Sequence, residues 1–277
     1  MGCNSNPLLP IKCLVQSVFQ ETADVKTFRV VPVDGGELFD YQPGQCAMVS
    51  LFPVGEALFS ITSSPTRKGF LEFSVKSTGM VTRALHEIEP GTLIGVRGPY
   101  GNGFPYDFMK GKDLLFIGGG IALAPLRSLI NYCMDNRDDY GKIDIIYGAR
   151  SAKDLVQTVE LFENWPKVKD THVHLTVDVA SEDWDGNVGF VPSFVEQLNP
   201  SPAGKVTITC GPPIMIKFVL LSLAKMNYQP ANIITTLEMK MKCGVGKCGR
   251  CNIGHKYVCK EGPVFSLAQL NAMPNEF

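Results

Sequence analysis

The sequence predicts a multi-domain chain in three parts: an antiparallel six-stranded β-barrel, an α/β domain on a parallel sheet, and a small C-terminal cysteine module. Three observations carry this expectation. Short β-runs punctuated by Gly, Pro and Asp fill the chain from Ile11 to Pro105. From Asp113 to Glu238, apolar runs alternate with helical patterns. Near the end, three of the nine cysteines fall within nine residues. The boundaries expected from these shifts are 1–110, 111–230 and 231–277.

In the first part the runs are Lys12–Phe19, Thr27–Val33, Cys46–Phe52, Ala57–Thr62, Phe70–Lys76 and Leu93–Gly98, with one helical patch at Val81–Ile88. Short runs bounded by turn residues read as strands. Six of them with a single helix suit a small closed barrel better than an open sheet. In the second part the runs Leu114–Ile117, Ile143–Tyr147, Val173–Val177 and Val206–Cys210 alternate with helical patterns near Pro125–Met134, Leu155–Asn164 and Ile214–Met226. Such alternation marks a parallel sheet covered by helices.

Two turns in the second part point to a nucleotide. The run Leu114–Ile117 leads into Gly118-Gly119-Gly120 and then a helical pattern. A turn of this kind lets backbone approach a pyrophosphate, and the helix start offers free N–H groups and a positive dipole end. Cys210-Gly211-Pro212-Pro213 repeats the arrangement after the last run. Ligands of open α/β sheets bind beyond the carboxyl ends of the strands, where both turns fall. In the barrel, Phe59-Ser60-Ile61-Thr62 closes a β-run and Ser77-Thr78-Gly79-Met80-Val81-Thr82 opens the helical patch. Thr78 is the expected cap of that helix. Taken alone, both segments are also explained by ordinary strand-end and capping chemistry.

The module carries Cys243, Cys248 and Cys251, followed by Cys259 after seven residues. This C-x4-C-x2-C…C spacing is that of a plant-type [2Fe–2S] site. Gly244, Gly246 and Gly249 supply the backbone freedom that such a loop needs. Lys240, Lys242, Lys247, Arg250, Lys256 and Lys260 offset the negative charge of four thiolates and favour the thiolate form. Structural zinc also takes four cysteines, but usually as two short pairs separated by a longer loop. The crowding of three ligands favours iron–sulfur. Cys3, Cys13, Cys46 and Cys133 show no ligand spacing and read as ordinary thiols. His86, His172, His174 and His255 are scattered and form no triad with a serine.

A net charge of −1 removes any general electrostatic case for nucleic acid or an anionic membrane surface. The most apolar stretch, Leu114–Leu126, contains three glycines and is too short to span a bilayer. Without a secretory pattern, the nine cysteines fit a reducing cytoplasm.

Together these motifs resemble the ferredoxin–NADP reductase superfamily over about the first 230 residues. The segment Glu238-Met-Lys-Met-Lys-Cys243 through Cys251, with Tyr257-Val-Cys259-Lys-Glu-Gly-Pro-Val-Phe265, resembles the gamma or B subunits of NiFe hydrogenases and anaerobic sulfite reductases. It is similar, more distantly, to the electron-transfer subunit of dihydroorotate dehydrogenase. The resemblance implies FAD in the barrel, NAD(P)H on the α/β domain and a [2Fe–2S] cluster on Cys243, Cys248, Cys251 and Cys259. It implies Phe59, Ser60 and Thr62 as the flavin strand, and Gly79, Val81 and Thr82 as the flavin pyrophosphate motif. It assigns Gly118, Gly119 and Gly120 to the pyridine-nucleotide turn and Arg150 to the adenosine end. Cys210 and Gly211 fall beside the nicotinamide, which makes Cys210 the candidate catalytic residue. Three positions depart from the pattern. Ala57 stands where an Arg is usual, which leaves the flavin pyrophosphate to the helix start and Arg83. Phe59 replaces a Tyr. Ala122 replaces a fourth glycine and is expected to bring a Cβ near the nucleotide.

The implied activity is that of an electron-transfer subunit. Hydride passes from NAD(P)H to the flavin, and single electrons pass from the flavin through the cluster to a partner redox subunit of a hydrogenase, sulfite reductase or disulfide-reducing complex. Asp178, Glu182 and Asp183 follow the third α/β run and suit a free ribose 2′-OH, which favours NADH. Arg150 and Lys153 argue for NADPH. The rival readings are a stand-alone flavin oxidoreductase acting on a small molecule and a regulatory subunit with degenerate nucleotide sites.

Overall fold

The computed structural model describes residues 6–274, so Cys3 lies outside the described residues. Six strands, β1 (Ile11–Thr22), β2 (Val25–Pro32), β3 (Cys46–Leu51), β4 (Gly55–Ser60), β5 (Leu71–Lys76) and β6 (Leu93–Tyr100), form one antiparallel sheet in the order β4-β3-β6-β1-β2-β5. Its two edges meet just past β4. There the Thr62 N–H donates to the Glu72 carbonyl of β5 (2.9 Å), and the Glu72 N–H donates to Ser63 Oγ (3.1 Å). Alternation along the strands sends Val15, Phe28, Val49, Phe73 and Val96 inward, where Leu85 of helix α1 (Met80–His86) joins them. All six expected strands and the expected helix are present.

A short helix α2 (Tyr106–Met109) leads into the second sheet. It comprises β7 (Asp113–Gly119), β8 (Ile143–Ala149), β9 (Thr171–Val177), β10 (Asn187–Val188), β11 (Lys205–Cys210) and β12 (Ile233–Thr236), parallel in the order β10-β9-β8-β7-β11-β12. Helices α3 (Leu123–Asp135), α4 (Val191–Leu198) and α5 (Pro213–Lys225) cover it. Leu114 to Ile117 are all fully buried, as expected of a central strand covered on both faces. The C-terminal segment adds a hairpin, β13 (Asn252–Ile253) and β14 (Lys256–Tyr257), then α6 (Val258–Glu261), β15 (Val264–Ser266) and α7 (Leu267–Asn271). Strand β15 pairs antiparallel with β12 and becomes the edge of the α/β sheet.

The expected helix near Leu155–Asn164 begins three residues late, at Thr158, and is wound as a π-helix over Glu160–Asn164 before a 3-10 turn at Trp165–Lys167. Gln157 explains this. Its backbone is left-handed (φ +58°), and its side chain donates to the Glu21 carboxylate (2.9 Å), Thr27 (3.1 Å) and Ser74 (3.2 Å) of the barrel. No helix among the described residues is long and apolar enough to cross a membrane.

A buried charge network joins the barrel to the sheet. Arg127 of α3 lies against Glu72 of β5 (2.5 Å) and Glu160 (2.5 Å), and Arg29 of β2 closes on Glu72 from the other side (2.7 Å). Beside it, Ser128 Oγ donates to the Ser63 carbonyl (2.6 Å). Burial pushes the Glu72 carboxyl up, but Arg127 and Arg29 outweigh it and hold the group below the ordinary carboxylate range. Arg127→Met strands Glu160 in the interface and leaves Glu72 with Arg29 alone, and is expected to cost roughly 3–5 kcal/mol. At roughly 2–4 °C per kcal/mol, the thermal midpoint falls by on the order of 10 °C. The contribution of Glu72 is complete above the unfolded carboxylate value of about 4.3 and is lost as the pH falls through the depressed folded value. Melting curves of wild type and variant, recorded by circular dichroism, should therefore diverge at neutral pH and converge in acid.

Candidate functional site

The flavin-strand residues lie where the barrel meets the sheet. Phe59 pairs with Ala47 and Ser60 with Cys46 across β4 and β3, and both remain half-buried. Thr62 is fully enclosed, and its hydroxyl has no protein partner. It supports the strand end rather than presenting a side chain. In the second barrel motif Thr82, not Thr78, does the capping. Thr82 Oγ1 accepts from the N–H groups of Thr78 (2.9 Å) and Gly79 (2.8 Å) and donates to the Gly79 carbonyl (3.0 Å). The first backbone bond of α1 runs from the Arg83 N–H to Gly79 (2.9 Å), which leaves the N–H groups of Met80, Val81 and Thr82 ahead of it for an anion. Arg83 is exposed beside them.

The two α/β turns sit side by side, because Cys210 is in register with Gly118. Gly120 has φ +56° with open space where a Cβ would stand, so backbone is presented bare at the head of α3. Tyr147 pins this turn by donating to the Gly120 carbonyl (3.1 Å). Gly119 and Gly211 face each other across Met215, whose thioether a Cβ at either position would strike. Ala122 is only 7 % exposed and packs in the core shared by the sheet and α3. Its burial in that core differs from the expectation that its Cβ stands near a nucleotide.

Cys210 is buried, and its Sγ contacts Thr236 Oγ1 at 2.9 Å. Burial pushes this thiol up to about 12, with the Thr236 hydroxyl opposing, so it is a thiol at neutral pH and no nucleophile. It lies within electrostatic reach of Cys46, the strand partner of Ser60, so the turn at Cys210 and the end of β4 lie near each other. Cys46 and Cys133 are also buried, and burial pushes them to about 11 and about 12. At the same carboxyl edge of the sheet, Arg150 and Asp178 follow β8 and β9 and lie beside each other. Burial pushes the Asp178 carboxyl up and Arg150 opposes it.

The four cysteines of the C-terminal segment come together: Cys243 neighbours Cys248, Cys251 neighbours Cys259, and Cys259 also lies within electrostatic reach of Cys243. Cys248 is exposed and Cys243 half-buried, whereas Cys251 and Cys259 are buried. Backbone N–H groups point at the sulfurs. Val245 (3.4 Å) and Lys247 (3.3 Å) donate to Cys243, and Gly246 (3.1 Å) donates to Cys259. Burial works against the Cys243 thiolate, but these N–H donors outweigh it and bring the group down to about 6. Among the described residues, no three potential ligand side chains meet closely enough to hold one metal ion. The donor set, four sulfurs with N–H groups aimed at them, fits a cluster of more than one metal.

The barrel holds this loop through residues that carried no motif. Arg97 of β6 donates to the Cys243 carbonyl (2.9 Å) and to the Tyr100 hydroxyl (2.7 Å). The Tyr100 ring packs on Gly244, where a Cβ would come within 2.8 Å of it. Asn102 brackets β15, donating to the Val264 carbonyl (2.7 Å) and accepting from the Val264 N–H (2.9 Å). The one sequence signal for these contacts is a charge, Arg97, inside an otherwise apolar run.

Comparison with known proteins follows the same division. Residues 12–105 match the oxidoreductase FAD-binding domain family, and residues 116–220 match the oxidoreductase NAD-binding domain family. Residues 238–271 match the iron–sulfur cluster binding domain of dihydroorotate dehydrogenase B. The chain is 41% identical to the sulfhydrogenase 1 subunit gamma of Pyrococcus furiosus, over 98% of this chain and 95% of that one. It is 33% identical to a probable dihydroorotate dehydrogenase B (NAD(+)) electron transfer subunit of Methanocaldococcus jannaschii, over 92% of this chain and 89% of that one. Among solved structures, an NADH-dependent reduced ferredoxin-NADP oxidoreductase shares the fold with a TM-score of 0.76 at 24% identity, over 97% of this chain and 90% of that one. The flavohem-like FAD/NAD binding domain of a Vibrio cholerae nitric oxide dioxygenase does so with a TM-score of 0.73 at 20% identity, over 82% of this chain and 98% of that one. The chain belongs to the family of FAD- and NAD-binding oxidoreductase subunits with an iron–sulfur domain that includes the sulfhydrogenase gamma subunits and the electron-transfer subunits of dihydroorotate dehydrogenase B.

Proposed function

We propose that this chain is a diaphorase-type electron-transfer subunit that connects NADH to a partner redox subunit through FAD and a [2Fe–2S] cluster. The observation that carries the reading is the set of four cysteines docked on β6, whose Arg97 reaches across β3 to Glu56 of the strand that carries Phe59 and Ser60. The C-x4-C-x2-C…C spacing suits a two-iron cluster, whereas zinc ligands usually come as two short pairs separated by a longer loop. The flavin supplies hydride acceptance from the nicotinamide and release of single electrons to the cluster, chemistry that belongs to the cofactors.

The residues of the chain bind, orient and exclude water. Phe59 and Ser60 hold the flavin edge, with Thr62 behind them. The first N–H groups of α1, set by Gly79, Val81 and Thr82, take the flavin pyrophosphate, and Arg83 supplies the cation that Ala57 does not. Gly118, Gly119 and Gly120 receive the dinucleotide pyrophosphate, while Cys210 and Gly211 form the floor beneath the nicotinamide. Cys210 acts by position, as a buried neutral thiol. Asp178 accepts from the ribose 2′-OH and favours NADH, and Arg150 stacks or pairs at the adenosine end. Exposed Cys248, flanked by exposed Lys247 and Arg250, is the edge offered to an acidic partner surface. The relatives named as sulfhydrogenase subunits favour a hydrogenase or sulfur-reducing partner, and we place the complex in the cytoplasm.

An anaerobic visible spectrum of the purified chain, with iron, sulfide and flavin quantified, tests the reading. About two irons, two sulfides and one FAD per chain are expected, bleached by NADH. Zinc without flavin overturns it. For nucleotide choice, Asp178→Ala is expected to raise the KM for NADH by roughly tenfold, the worth of one hydrogen bond to a charged group. Its KM for NADPH should change little, as read by steady-state reduction of an artificial electron acceptor.

A further inference from the structure

One buried cation has no counterpart among the expected cofactor contacts. Arg97 is only 5 % exposed, and its whole guanidinium is engaged. Nε and Nη2 grip the Glu56 carboxylate at 2.9 and 2.6 Å. Nη1 donates to the Cys243 carbonyl (2.9 Å) and the Tyr100 hydroxyl (2.7 Å), and Nη2 reaches the Lys242 carbonyl (3.4 Å). Glu56 lies on β4, three residues before Phe59; Ser50 donates to it (3.3 Å), and Lys242 lies within electrostatic reach. A single ion pair therefore ties the strand that carries Phe59 and Ser60 to the backbone of the first cysteine of the cluster loop. Its charges are ordered, with the cation against the Cys243 backbone and the carboxylate behind it. Folding alone does not call for this arrangement, since a neutral donor would satisfy two carbonyls equally well.

We propose that the Arg97–Glu56 pair is a positioning and tuning device that sets the reduction potential of the cluster held by Cys243. The inference rests on the cluster reading above. When the cluster takes up one electron its net charge becomes more negative by one. A cation held beside a ligand stabilises that reduced form, and an anion opposes it. Burial of Arg97 keeps salt from screening the cation beside Cys243, while Glu56 is partly open to solvent. Removing each partner should therefore move the potential in opposite directions. Loss of Arg97 makes the cluster harder to reduce, and loss of Glu56, which leaves Arg97 uncompensated, makes it easier. A purely structural clamp predicts something else: both variants loosen the same loop and shift its properties alike.

The test is a dithionite titration of the full chain, monitored by electron paramagnetic resonance of the reduced cluster. Wild type, Arg97→Gln, Arg97→Lys and Glu56→Gln are compared, with iron, sulfide and FAD quantified in each. The expected result is a roughly tenfold change in the reduction equilibrium, about 59 mV for one electron, downward for Arg97→Gln and upward for Glu56→Gln. Arg97→Lys keeps the charge and should stay near wild type, and the flavin potential should not move. Shifts of the same sign in both charge-removing variants, or none in chains carrying full iron and sulfide, overturn the proposal. If Arg97→Gln does not fold, Glu56→Gln decides. It replaces a side chain already 39 % exposed, and anything but an upward shift refutes the role. A wild-type chain that binds no iron and sulfide overturns the cluster reading itself, and this role with it.

Discussion

The cysteine segment cannot bury enough of itself to stand alone, and the arrangement of the whole molecule answers that constraint. Its core is Cys251, Ile253, Val258 and Cys259, with Leu237, Met239, Met241, Tyr257 and Met273 packed on it. A core so small, half of it thiols, needs a metal or a neighbour to order it. The structure supplies neighbours on two sides. Strand β15 hydrogen-bonds to the sheet through β12, and the loop after β6 holds β15 through Asn102. The segment is therefore wedged between barrel and sheet, and its ligand loop is anchored on β6 at Cys243 and Gly244 while residues 247–250 face solvent.

The second joint, between barrel and sheet, is built from charge. Arg29, Glu72, Arg127 and Glu160 alternate in sign across a buried contact, and Gln157 adds a neutral plug from the sheet side. Buried ion pairs contribute modest net stability, yet they are strict about geometry. Here that strictness matters for chemistry. It holds the end of β4 at a fixed place relative to the carboxyl ends of β7 and β11. Cys46 beneath Ser60 and Cys210 in the opposite turn come within electrostatic reach because of it. A hydride passes only over van der Waals distance, so a joint that tolerates little sliding suits a site divided between two domains.

Much of this was legible in the chain. Strands such as Leu71–Lys76 and Ile143–Ala149 are long enough for their apolar pattern to speak, and the cysteine spacing is dictated by the ligands themselves. What escaped was short or non-local. Strand β15 is three residues long and exists because β12 offers it an edge; Val-Phe-Ser alone has no periodicity. Helix α4 hides behind the Pro at its start, although Val191, Phe194 and Val195 form an apolar face. Leu155 to Gln157 have helical composition, but the pull of the barrel on the Gln157 side chain holds them out of the helix that starts at Thr158. Ala122 was read from a linear pattern as facing the nucleotide, and it is buried in the core instead. Thr78 looked like a cap because it precedes the helix, yet Thr82 reaches back to do the work. The contacts that bring the sites together, Arg97 to Cys243 above all, span about 150 residues of chain, and no local rule anticipates them.

Strand β12 carries a further implication. Without β15 it would be the terminal strand of a mostly parallel sheet, with one row of its N–H and C=O groups unpaired and Ile233 to Thr236 all otherwise buried. Unprotected edges of that kind recruit strands from other molecules. The residues that follow the last cysteine thus serve as a self-association guard for the sheet. During synthesis β12 emerges well before β15, so the nascent chain must wait with an open edge until the loop between them has turned back. Solubility of the α/β domain and orderly closure of the cysteine loop are then one and the same event.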